Sequence, residues 1–313
     1  MKLIYILVVI LFFPVLNLSA DSKRMDLVTN SSLEIGSDFT FLSSIKESAT
    51  FPFLVGKGLL YNNSIKFTGG IELSPISVKL TTEAIFTPIA FLQLISGVSA
   101  GTGWDNNVAT GLAINTPKDS LAMTDNSGDY GQNISDTTGV LWKYKGGLAL
   151  QFDLAAVMPG KWNHIVFRSY HELNYQMLTG VSDNVSWVWA YQNTTNPGQS
   201  QNGWNYYNSN FIGYKMPVWL DMIGIFSEEF LPLYQNPSGT NFGRNLPGWD
   251  FGPLAEAKIS SNFTLTTLFE GQTQLQYINN TGGRGFYQYR VVNQDNPISF
   301  SFYRVIAVLN YYF

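Results

Sequence analysis

The chain contains no cysteine, only two histidines and few charges: Lys, Arg, Asp and Glu together make up 13% of its 313 residues. Without cysteine it has no disulfide framework and no thioether lipid anchor, and zinc loses its commonest ligand. No carboxylate cluster stands at ligand spacing and no glycine loop leads into a Lys-Ser/Thr pair, so neither a metal nor a phosphate-bearing cofactor is expected. The charged fraction is half the roughly 25% of soluble proteins, and a net charge of -4 suggests no nucleic-acid partner. Also missing, beyond Ala20, is any apolar run long enough to cross a bilayer as a helix. So few charges imply a surface that does not face water. Only helices and closed barrels satisfy backbone hydrogen bonds in lipid, so the lack of a helix leaves the barrel.

At the N-terminus, Lys2 supplies a positive charge, residues 3–18 an apolar core interrupted by Pro14, and Leu18-Ser19-Ala20 a small-residue exit. This reads as a cleaved signal peptide over 1–20, because the apolar stretch falls short of the roughly 20 residues a spanning helix needs. No linker or charge block divides the remainder, so 21–313 is taken as a single barrel domain.

The positive signal is period-two alternation. Over 141–156 the even positions carry Trp142, Tyr144, Leu148, Leu150, Phe152 and Leu154, and the odd ones Lys143, Lys145, Gln151 and Asp153. Over 263–277 Phe263, Leu265, Phe269, Leu275 and Tyr277 alternate with Thr264, Thr266, Glu270, Gln272, Gln274 and Gln276. A helix would smear both sets around its axis. The same pattern predicts strands over 33–41, 65–73, 77–87, 162–177 and 249–260, with weaker candidates at 51–60, 89–101, 185–191, 204–215, 218–226 and 284–292. Several reach 10 residues or more, as a tilted crossing of a bilayer requires. The expectation is an all-β, closed antiparallel barrel with an even strand number of about 12–14. The long polar connections 102–139, 193–203 and 231–246 belong outside the cell, although a strict up-and-down count does not put all three there. Aromatic clusters at 187–191, 204–207 and 311–313 suit girdles at the lipid headgroups.

The end of the chain is the sharpest feature. Counting back from Phe313, Tyr311, Leu309, Ala307, Val305 and Tyr303 form one apolar face, with Tyr312, Asn310 and Arg304 opposite. This resembles the terminal strand of bacterial outer-membrane β-barrels. The resemblance implies an outer-membrane location, contact with outer-membrane lipids, and recognition of Tyr311 and Phe313 by the barrel-assembly machinery.

One pair has the composition of a nucleophilic dyad: Ser169 and His171 alternate onto the apolar, outward face. Outer-membrane lipid hydrolases carry His-x-Ser where this chain has Ser-x-His, and no orienting carboxylate or amide is evident nearby, so the chain is read as non-enzymatic. The opposite face holds the expected lumen residues: Glu34, Asp38, Lys143, Lys145, Arg168, Glu172, Glu256, Glu270, Arg290 and Arg304. With the other polar-face charges the signs balance, predicting weak ion selectivity or ion pairs that stiffen the wall. Closure should bring Arg304 close to Glu34 or Asp38. A barrel of this width suits a passive channel for small polar or amphipathic solutes. The alternative is a non-transporting surface barrel, adhesive or structural, acting through 102–139 with its polar patch 124–130.

Overall fold

The computed structural model describes residues 25–60, 62–104, 111–115, 132–133, 139–183, 186–189, 200–234, 243, 245–278 and 291–313. The strands, in chain order, are β1 (Asp26–Gly36), β2 (Phe41–Pro52), β3 (Ser64–Ser74), β4 (Ser77–Ile89), β5 (Leu92–Gly103), β6 (Leu112–Asn115), β7 (Gln132–Asn133), β8 (Leu141–Asp153), β9 (His164–Leu178), β10 (Ser186–Trp189), β11 (Gly203–Lys215), β12 (Leu220–Pro232), β13 (Gly248–Lys258), β14 (Phe263–Leu275) and β15 (Ile298–Tyr312). Twelve of them close into one antiparallel barrel in the order β1-β15-β14-β13-β12-β11-β9-β8-β5-β4-β3-β2, and β10-β6-β7 form a separate three-stranded sheet. The seam pairs β1 with β15 from Asn30↔Tyr312 to Gly36↔Ile306. Phe313 completes it through reciprocal backbone bonds with Thr29, each 3.0 Å long. A sheet closed in this way has no unpaired edge, which is what lipid demands of a spanning structure.

Side-chain direction follows the alternation. The apolar set of β8 points outward and stays open, with Tyr144 48%, Leu148 40% and Phe152 47% exposed, while Ala149 on the other face is fully covered. The same holds in β9, where Ile165, Phe167 and Leu173 are exposed and Tyr170, Glu172 and Asn174 are buried. Greasy groups are therefore outside and polar groups enclosed, the inverse of a soluble sandwich.

Wall strands run from 11 to 15 residues, but two sequence readings need correction. Residues 33–41 are not one strand: β1 ends at Gly36 and β2 begins at Phe41, so Asp38 lies in the hairpin between them. There it accepts bonds from the Thr40 backbone N–H at 3.2 Å and from its hydroxyl at 2.8 Å. An Asp side chain bonding two residues onward is a turn signal, and it overrides the alternation that continues through it. Residues 51–60 likewise leave the sheet after Pro52 and close through a short 3-10 turn, Gly58–Leu60. In β15 the register slips opposite Glu270 and Gly271, so the ladder passes from Arg304 to Phe302 and leaves Tyr303 unpaired. Above that bulge Phe302 and Phe300 carry the exposed apolar face, at 67% and 73%.

Met25, Phe313 and the connections 53–63, 90–91, 154–163, 216–219 and 259–262 share one rim. All the long connections, including 102–139, 193–203 and 231–246, open from the other rim. The up-and-down count that seemed to divide them had taken 185–191 for a wall strand. The candidate at 185–191 supplies β10 of the small sheet, which stands on that second rim. There Trp187 is fully buried with Leu112 and Leu178, and Trp189 packs beside them. Trp187 and Trp189 thus contribute to a loop core rather than to a girdle, while 190–191 lie outside the described residues. The signal segment 1–20, the patch 124–130, Arg290 and most of 284–292 lie outside the described residues, although Val292 makes an isolated bridge with Tyr277.

Candidate functional site

The site is the enclosed face of the barrel. On β3, Glu72 lies between Lys46 of β2 at 3.3 Å and Lys79 of β4. On β8, Lys145 bonds Glu83 of β4, and Lys143 reaches Glu172 of β9 at 2.7 Å. Glu172 also accepts the Tyr170 hydroxyl at 2.6 Å and the Asn174 amide at 2.9 Å. With 3% exposure it is a carboxylate whose desolvation is offset by three donors. Arg168 stacks its guanidinium over the Tyr170 ring, 5.5 Å from the centroid.

Two glycines allow these side chains to lie flat. A Cβ on Gly97 would meet Lys145 Cε at 2.8 Å, and one on Gly147 would meet the Tyr170 ring at 2.9 Å. The lysine and the tyrosine therefore run along the wall where another residue would prop them into the lumen.

Across the barrel, Arg304 of β15 bonds Glu270 of β14 and, at 3.2 Å, Asp38 in the first hairpin. Arg304 thus ties the seam to its neighbours, with Glu34 on the inner face of β1 close by. Burial pushes the Asp38 carboxyl upward, but the bonds from Thr40 and the charge of Arg304 outweigh it and hold the group below its ordinary range. Glu228 of β12 accepts the Tyr207 hydroxyl, and Glu256 of β13 accepts the Thr266 hydroxyl at 3.2 Å.

The expected lumen residues Glu34, Lys143, Lys145, Arg168, Glu172, Glu256, Glu270 and Arg304 all stand on the enclosed face, and Asp38 reaches it from the turn. Their distribution departs from the expected mixture. Lys46, Lys66, Lys79, Lys143, Lys145 and Arg168 all belong to β2, β3, β4, β8 and β9, one half of the circumference, where they outnumber their partners Glu72, Glu83 and Glu172. Glu34, Glu228, Asp250, Glu256 and Glu270 belong to β1 and β12–β14, in the other half, where Lys215, Lys258 and Arg304 are the cations among the described residues. Ion pairs form between neighbours along the wall and do not span the lumen. Alternation within each strand gives the inward set, but only strand order around the barrel shows which charges face each other. Lys46 and Glu228 were missed because the alternation of β2 and the upper half of β12 went unrecognised.

The outer wall carries its own polar patch. Ser169 Oγ lies 3.1 Å from His171 Nε2 and donates to Asn210 Oδ1 at 2.7 Å. His171 Nδ1 faces the Tyr206 hydroxyl at 2.8 Å and the Asn208 amide nitrogen at 3.1 Å. Amides do therefore neighbour this pair, contrary to the sequence reading; they come from β11, whose register sets Asn208 opposite His171 and Asn210 opposite Ser169. The polarity is wrong for nucleophile activation, however. The Asn208 nitrogen is pinned by the Tyr170 carbonyl at 2.9 Å, so Nδ1 accepts, and the proton sits on Nε2 pointing at the serine it would have to deprotonate. Grooves of about 990 and 680 Å³ also indent this outer wall, the larger beside Gly69, Ser96 and Gly146 and the smaller beside Ile212, Ile225 and Phe269.

Aromatic pairs ring both ends of the apolar belt. Near the loop rim Tyr175 meets Trp204 at 5.4 Å and Phe251 meets Phe300 at 6.0 Å. Near the chain ends Phe263 meets Tyr311 at 4.6 Å, and Tyr311 meets Phe313 at 5.3 Å. A sealed cylinder with an apolar exterior between two such girdles is built for a bilayer, and a closed barrel of strands places that bilayer at the bacterial surface. The chain is an outer-membrane β-barrel. Solved structures similar to it include OmpT of Vibrio cholerae (9% identity, TM-score 0.36, covering 94% of this chain and 99% of that one). OmpF of Salmonella typhi in complex with daunomycin is another (9% identity, TM-score 0.27, 92% and 97%), as is a Pseudomonas aeruginosa FadL homologue (9% identity, TM-score 0.30, 93% and 90%). No protein-family profile and no curated protein matches the chain. The assignment of this outer-membrane barrel rests on its wall.

Proposed function

We propose that the barrel is a passive channel for small polar or amphipathic solutes. The reading is carried by one observation: enclosed cations outnumber carboxylates on one half of the circumference, and enclosed carboxylates outnumber cations on the other. Opposed arcs of this kind set up a field across the lumen, which orients a dipolar solute and replaces part of its hydration. Twelve strands leave more room than the eight that side chains just fill, and Lys145 and Tyr170 lie against the wall. The test is planar-bilayer recording of the refolded full-length chain. Discrete conductance steps are expected, and Lys79→Gln with Lys143→Gln should shift selectivity toward cations. A wild-type protein that inserts yet gives no conductance and no solute uptake overturns the reading.

The same reading makes the barrel non-enzymatic. Ester hydrolysis by the wild type in phospholipid vesicles, lost in Ser169→Ala, would replace it with a lipid hydrolase. A second reading draws on the small sheet at the loop rim, whose buried tryptophans give the long connections a core of their own: a surface protein that binds through 102–139. Deleting 105–138 should then abolish binding to cells or matrix and leave permeability unchanged.

A further inference from the structure

Near the loop rim, four inward side chains stand abreast on consecutive strands. The register pairs Glu228 of β12 with Asp250 of β13, Asp250 with Gln272 of β14, and Gln272 with Ser301 of β15. Three of the four offer oxygen acceptors that lack donors. Gln272 is 2% exposed, and its carbonyl oxygen has no hydrogen-bond partner. The Ser301 hydroxyl is likewise buried without a partner. Asp250 has no cation at salt-bridge distance among the described residues. Arg304, the cation closest in the fold, is committed to Glu270 and Asp38. Only Glu228 is served, by the Tyr207 hydroxyl.

A buried acceptor without a donor forfeits its hydration for nothing in return, which natural proteins rarely tolerate without a reason. Here two such acceptors lie beside two half-buried carboxylates on the inner face of the acidic arc. What the row lacks is a compact group that brings several N–H donors and a positive charge. A primary ammonium supplies three donors and one charge. A divalent metal fits less well, because no three carboxylate or imidazole groups among the described residues converge as ligands.

We propose that Asp250, Gln272 and Ser301, flanked by Glu228, form a binding station for the primary ammonium group of a solute entering from the loop rim. This rests on the channel reading for its route, but binding can be measured without transport. The experiment is isothermal titration of the refolded full-length barrel with 1,4-diaminobutane, and separately with calcium chloride. Saturable diamine binding is expected, weakened about tenfold or more by Asp250→Asn, since a charge-assisted hydrogen bond is lost. Gln272→Met should weaken it as well, whereas Lys145→Gln on the opposite arc should not. Heat-modifiable migration on gels checks that each variant has folded. No diamine binding, binding indifferent to both Asp250→Asn and Gln272→Met, or binding of calcium alone overturns the station. Diamine binding as expected together with absent conductance would retain the station and overturn only the channel.

Discussion

Glu172 concentrates more of the inner wall's chemistry than any other described side chain, since Lys143, Tyr170 and Asn174 all converge on it. Removing one member of a buried pair leaves the other charged and unsolvated, at a cost of about 3–5 kcal/mol. Glu172→Ala should therefore lower the urea midpoint of the refolded barrel markedly, while Glu172→Gln, which keeps an acceptor for Tyr170 and Asn174, should cost less. Asp38 predicts a pH effect. Its folded-state pKa is depressed, so its contribution is present above the unfolded value of about 3.9 and fades as pH falls through the folded value. Asp38→Asn should make unfolding less pH-dependent in that acid range, measured by tryptophan fluorescence; an unchanged acid limb would show that Arg304 gains nothing from this partner. The expectation of closure placed Arg304 near Glu34 or Asp38. It did not suggest that the same guanidinium also serves Glu270, because that depends on the β14–β15 register, which sets Glu270 opposite Arg304.

At the level of the element, β8 shows how much a strand pattern reveals. Its alternation gave both faces correctly from Leu141 to Asp153, but the strand expected to run to 156 stops there, because the Asp153 carboxylate caps a 3-10 turn, Leu154–Ala156. What it could not give is why glycine occupies 147, an inward position, since that depends on Tyr170 reaching over from β9. A Cβ there would also lie 2.5 Å from the His171 carbonyl oxygen. Gly147→Val is expected to destabilise the barrel by about 1–3 kcal/mol through overpacking, read as a lower temperature for loss of heat-modifiable migration. Gly146→Val, outward with nothing within 4 Å, should be close to neutral. The pattern was least legible where turn chemistry interrupts it, as at Asp38, and where aromatic residues mimic a girdle but pack into a loop core, as at Trp187.

For the whole molecule, closure is the central fact. Phe313 bonds Thr29 across the seam and packs on Tyr311, so it both ends the seam pairing of β15 and locks the cylinder. Deleting Phe313 should reduce the amount of folded protein recovered from outer membranes, scored by surface proteolysis. Recovery equal to wild type would remove the assembly role from Tyr311 and Phe313. The arrangement of the enclosed charges also belongs to this scale, because no single strand carries it.

Local chemistry was enough to determine strand type, the facing of side chains along the regular stretches of strand and the membrane as solvent, because alternation, scarcity of charge and a terminal aromatic are properties of the chain itself. The tertiary structure alone decided which strands adjoin. Strand order around a closed sheet sums twelve pairings, each chosen by contacts between distant segments, and that order sets basic against acidic walls and leaves Gln272 and Ser301 side by side without donors.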